Sequence, residues 1–66
     1  MRTYQVFMKN GNARSVEVRA DDVNLDCIEN DADTAYWNFT ARNDGGDDIS
    51  VAVVPFGAVD YIASQP

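Results

Sequence analysis

The chain has no histidine, and its 66 residues include one cysteine, Cys27. Each absence removes a class of chemistry. Without histidine there is no Ser-His or Cys-His nucleophile pair. One cysteine cannot close an intrachain disulfide, and without histidine beside it cannot found a Cys/His zinc site. No apolar run approaches the roughly 18 residues of a membrane span. No apolar stretch of leader type follows Arg2, so a secretory signal is not expected. A free thiol fits a reducing cytoplasm. A domain this short has little room for a pocket of about 300 Å³ or more, the size usual for small-molecule sites. The expectation is a single domain over residues 1–66, non-catalytic, cytoplasmic, with no cofactor, no metal and no membrane contact.

Positive charge is also scarce. Five Lys and Arg stand against eleven Asp and Glu, for a net charge of −6. Nine of the acids are Asp, a residue that favours turns and caps over helix interiors. The balance is uneven along the chain: residues 1–19 sum to +3 and residues 20–66 to −9. Hydrophobic residues make up 45%, enough for a core and too many for a disordered chain. That core is thin, because a chain of this size buries only about 60% of its unfolded surface.

Period-two alternation dominates. Tyr4, Val6 and Met8 share one face of a first strand, with Gln5 and Lys9 on the other. Asn10-Gly11-Asn12 is a strong hairpin signal, because a type I′ turn needs positive φ at both central positions. Val16, Val18 and Ala20 face inward on the return strand. After a turn at Asp21-Asp22, the residues Val23, Leu25 and Cys27 alternate on a short third strand. An acidic loop follows over residues 29–34. The fourth strand, residues 35–42, sets Trp37, Phe39 and Ala41 against Tyr36, Asn38, Thr40 and Arg42. Asn43-Asp44-Gly45-Gly46-Asp47-Asp48 signals a second hairpin. Ile49, Val51 and Val53 form the inward side of a fifth strand. Pro55 and Gly57 break it, a last strand runs over residues 59–63, and residues 64–66 are a tail. No helix period extends over three turns.

Five or six short antiparallel strands in this length predict an all-β fold, either a small barrel or a strongly twisted sheet. The expected core is Tyr4, Val6, Met8, Val16, Val18, Leu25, Trp37, Phe39, Ile49, Val51, Val53, Val59 and Ile62, with Cys27 packed as a small hydrophobe. An open meander that dimerises through an edge is the alternative.

The segment Val54-Pro55-Phe56-Gly57-Ala58-Val59, set before a final short strand, resembles the proline-led 3₁₀ turn of SH3-like and Sm-like small barrels. The Lys9-Asn10-Gly11 tip is similar to the first hairpin of Sm-like proteins. The resemblance implies an SH3-like barrel. It does not carry proline-peptide recognition with it, because the aromatic Ala-Leu-Tyr-Asp-Tyr type stretch and the tryptophan pair are missing. In size and charge alone the chain resembles small acidic inhibitors made by phages and mobile elements.

The candidate partner-binding residues are Asp21, Asp22, Asp26, Glu29, Asp31, Asp33, Asp44, Asp47, Asp48 and Tyr36. Carboxylates gathered on one side can imitate nucleic-acid phosphates and occupy a basic protein surface. The competing reading is solvated turns that keep a small domain soluble. The expected partner is a protein with a basic surface; the alternatives are an oligomer-forming barrel in a phage or host assembly, a homodimer among them, and, as the minority expectation, a nucleic-acid binder that uses the basic N-terminal hairpin. Phe7, Tyr36, Phe56 and Tyr61 are read as a contact cluster or as closure of the thin fold. Neither the 43–48 stretch nor Asp31-Ala32-Asp33 has calcium-loop spacing.

Overall fold

The structure, a computed structural model, describes residues 1–9, 15–28 and 32–65. Six strands are formed: β1 Arg2–Met8, β2 Ser15–Ala20, β3 Asp22–Asp26, β4 Tyr36–Arg42, β5 Asp48–Pro55 and β6 Val59–Gln65. Two 3₁₀ turns, Ala32–Thr34 and Phe56–Ala58, join them. All pairing is antiparallel, in two three-stranded sheets ordered β2-β1-β6 and β3-β4-β5. The all-β expectation holds at this level; among the described residues no ladder closes the two sheets into a continuous barrel.

The first hairpin pairs Tyr4 with Val18 and Val6 with Val16, as the alternation requires. Its expected Asn10-Gly11-Asn12 tip lies outside the described residues. β2 passes into β3 through one residue, Asp21. The Asp21 amide donates to the Thr40 carbonyl at 2.8 Å, and the Asp21 carboxylate accepts from the Arg42 amide at 2.7 Å. The chain therefore leaves the first sheet and joins the second at a corner fastened to β4, as strands do when they switch sheets.

The core sits between the sheets. Tyr4, Val6, Ala20, Phe39 and Val59 are buried together, with Met8, Val18, Val23, Trp37, Ala52, Val54 and Ile62 packed around them. The Tyr4 and Phe39 rings meet edge-on across the sheets at 5.5 Å. Phe7 faces away from this core and stacks on Tyr61 at 4.3 Å.

Five expected core residues are exposed: Val16, Leu25, Ile49, Val51 and Val53, at 53%, 52%, 47%, 45% and 56%. For β5 the cause is a bulge. Phe39 pairs with Ala52 but Thr40 pairs with Ser50, so Val51 has no partner. One extra residue moves everything after it to the opposite face. Ala52 and Val54 turn inward opposite Phe39 and Trp37, and Val53 lies beside Asn38 on the outer face. Leu25, opposite Trp37, is on the inner side but only partly covered, and Val16 and Ile49 have the inward register near strand ends. Cys27 is also exposed rather than packed, because β3 ends at Asp26. The strand runs through Pro55 instead of breaking before it. β5 is an edge strand, where a missing donor costs no ladder bond. Ser64 and Gln65 pair with Tyr4 and Thr3 and so belong to β6, not to a tail.

The second hairpin tip is built by Asn43. Its side-chain oxygen accepts from the amides of Gly45 at 2.9 Å and Asp47 at 3.0 Å, and Gly46 takes φ 83°, a conformation that favours glycine.

Candidate partner-binding face

Alternation along β4 decides what the outer face of the second sheet presents. With Trp37, Phe39 and Ala41 turned to the core, Tyr36, Asn38, Thr40 and Arg42 turn outward. Register then fixes their neighbours. Tyr36 lies between Asp26 and Pro55, Asn38 between Asn24 and Val53, and Thr40 between Asp22 and Ser50; Arg42 lies beside Asp48. Three carboxylates, Asp22, Asp26 and Asp48, thus share this face. Asp22 and Asp26 are four strand positions apart, about 13 Å.

The middle of the face is held by side chains. Asn38 Nδ2 donates to Asp26 Oδ2 at 3.3 Å, and the Ser50 hydroxyl donates to Asn38 Oδ1 at 2.5 Å. Those two bonds orient the amide and steady one carboxylate. The ion pair between Arg42 Nε and Asp48 Oδ1, at 3.7 Å, is solvent-exposed on both sides and holds little.

Two hollows flank this centre. One, of about 550 Å³, is lined by Ile28, Asp33, Thr34, Tyr36, Val53 and Pro55, among others. Its rim is shaped by the Thr34 hydroxyl, which accepts from the Ile28 amide at 2.9 Å and donates to the Ile28 carbonyl at 3.0 Å. The other, of about 340 Å³, is lined by Asp21, Asp22, Thr40, Arg42 and Asp48. A third hollow, of about 470 Å³, opens between the sheets, with Tyr4, Val23, Trp37, Phe56, Val59 and Ile62 below and Lys9, Asp60 and Ser64 toward the rim. The Trp37 and Phe56 rings are 5.9 Å apart in its wall. The expectation that so short a chain lacks room for hollows of this size is corrected: two small sheets that do not close leave concave margins.

The structure sorts the expected site residues. Asp22, Asp26, Asp48 and Tyr36 come together on the outer face, and Asp33 joins them at the larger of its two hollows. Asp21 lines the smaller hollow but is engaged in the fold. Its carboxyl is held below the ordinary carboxylate range, chiefly by the Arg42 amide bond; desolvation opposes this, and the Met1 ammonium at 3.5 Å adds to the lowering. Asp44 and Asp47 lie at the tip of the second hairpin, in turn positions. Glu29 and Asp31 lie outside the described residues. Among the described residues no three Cys, Asp or Glu side chains are grouped to hold a metal ion.

Residues the sequence reading did not place in the site are Asn24, Asn38, Ser50, Val53 and Pro55. The β4 alternation already put Asn38 on Tyr36's face. Val53 was beyond reach, because only the bulge sends it outward.

No protein-family model matches the chain, and no curated protein or solved structure is significantly similar to it. Among the described residues no helix is long and apolar enough to cross a membrane.

Proposed function

We propose that the chain is a binding module that docks a protein partner with a basic surface on the outer face of the β3-β4-β5 sheet. The observation that carries this reading is the shared face: Asp22, Asp26 and Asp48 surround an ordered polar centre, beside a hollow walled by Tyr36, Val53 and Pro55. Carboxylates there complement Lys and Arg and speed encounter, while the hollow takes an apolar or aliphatic side chain. A sheet face with side chains oriented by hydrogen bonds loses little freedom on binding.

The narrower reading, an inhibitor that imitates nucleic-acid phosphates, asks for more charge. Duplex DNA carries one charge per roughly 1.7 Å of axis, and three carboxylates spread over the six positions from Tyr36 to Arg42, about 20 Å, fall short of that density. Glu29 and Asp31 would have to join the face. The fold reading is SH3-like. What supports it is the order of pairing, β1 with β2, β3 with β4, β4 with β5 and β6 with β1, together with the Asp21 corner and the 3₁₀ turn after Pro55.

The test is a titration with an arginine-rich peptide that contains leucine, at several salt concentrations. A variant carrying Asp22→Asn, Asp26→Asn and Asp48→Asn is compared with a charge-matched one carrying Glu17→Gln, Asp44→Asn and Asp60→Asn. Loss of affinity of tenfold or more in the first, and little in the second, is the expected result. Equal losses show that net charge alone is at work, and no binding at low salt removes the proposal.

A further inference from the structure

β5 is largely exposed, with six of its eight residues open to solvent. Only Ala52 and Val54 on it are better covered than exposed residues, while Ile49, Val51 and Val53 are open to solvent at about half their surface. It pairs with β4 alone, so among the described residues its other edge carries a row of unpaired amides and carbonyls. Natural edges of this kind are guarded by charge, by lysine above all, by proline or by a bulge. β5 has the bulge at Val51 and Pro55 at its last position, but between Asp48 and Pro55 it has no charge.

Charge also points to the occupant. Residues 49–59 form the longest uncharged run in the chain. In a protein of net charge −6, this is where a second copy can approach with least repulsion. Antiparallel pairing of β5 with itself, centred between Val51 and Ala52, sets apolar residues along the joint. It also keeps the two Asp48 carboxylates about 23 Å apart, seven strand positions. Main-chain hydrogen bonds then supply affinity without any new side-chain fit.

We propose that two copies of the chain join edge to edge through β5 about a twofold axis, making one six-stranded antiparallel sheet. An axis perpendicular to the sheet keeps both outer faces on the same side. The dimer therefore shows the Asp22, Asp26 and Asp48 set twice on one continuous surface. The joint itself does not depend on the partner-binding reading, and its test uses no partner.

Sedimentation velocity from 10 µM to 1 mM, numbers chosen on the order of weak association, is the experiment. The expected result is a reversible monomer–dimer shift with rising concentration. Val51→Lys is expected to raise the dissociation constant at least tenfold, and Glu17→Gln, an equal change of charge on the outer face of the other sheet, to leave it unchanged or to lower it. Hydrogen exchange of the unaltered chain at the two ends of that range guards against misfolding of the variant: β5 amides should gain protection at the high end. A strict monomer at the highest concentration overturns the proposal. So does a dimer that a folded Val51→Lys variant retains, β5 protection that does not change, or growth into open-ended assemblies.

Discussion

Asp21 shows how much one exposed side chain can fix. It is the single residue between β2 and β3, its amide bonds to β4, and its carboxylate accepts from β4 in return. An asparagine there keeps an acceptor and gives up the charge that the Arg42 amide and the Met1 ammonium favour. A carboxyl whose folded-state pKa is lowered adds stability that is fully present above its unfolded value, near pH 4, and lost as pH falls through the lowered folded value. Asp21→Asn is thus expected to melt at a lower temperature than the unaltered chain at pH 7, and the gap should narrow as pH falls through the acid range. Thermal melts by circular dichroism at pH 7, 4 and 2.5, round values on either side of an ordinary Asp, decide it. A gap that stays constant with pH would mean the carboxylate's charge adds nothing at the corner. The turn at Asp21-Asp22 was legible in the sequence. Its bond to β4 was not, because that depends on a partner 21 positions away.

At the scale of the element, β5 separates what alternation can and cannot say. Period two placed all six strands and the faces of β1 and β4, where Tyr4, Val6 and Phe39 are buried as the pattern requires. On β5 the pattern Ile49, Val51, Val53 is equally regular in sequence and misleads, because nothing local marks the extra residue at Val51. Both choices leave valines inside, so only pairing across to Phe39 and Thr40 selects between them. Strand ends mislead for a different reason. Val16 and Leu25 have the inward register but little of the opposite sheet above them. The same substitution made on both faces tests the bulge. Val54→Thr puts a hydroxyl against Trp37's side of the sheet and should cost about 1–2 kcal/mol. Val53→Thr should stay within about 0.5 kcal/mol, as surface changes do. Urea denaturation of the two variants gives the comparison. The reverse order of costs would restore the unbroken alternation.

The whole molecule is a thin one. Its Cα extents are 40 × 32 × 13 Å and its radius of gyration is 12.4 Å, against about 10.8 Å for a compact chain of its length. Its accessible surface of 4744 Å² likewise exceeds the roughly 4,200 Å² expected of a folded monomer of its mass. Two small sheets meeting over a few buried side chains leave much of their outer faces as working surface. Net charge was the plainest functional signal in the sequence, and the fold divides it. Asp21 is spent on a corner, Asp44 and Asp47 on a turn, and Asp22, Asp26 and Asp48 are gathered on one face with Tyr36. That division could not be read in advance, because it rests on which strands are neighbours.

The central claim is that this face, rather than overall acidity, makes the contact. Amide chemical-shift mapping of the isotope-labelled chain during titration with the arginine-rich peptide tests it most directly. The expected result is a contiguous set of shifts on Asp22, Asn24, Asp26, Tyr36, Asn38, Arg42, Asp48 and Ser50. Small shifts spread over every acidic residue, or a set centred on Phe7 and Tyr61 in the other sheet, would contradict it.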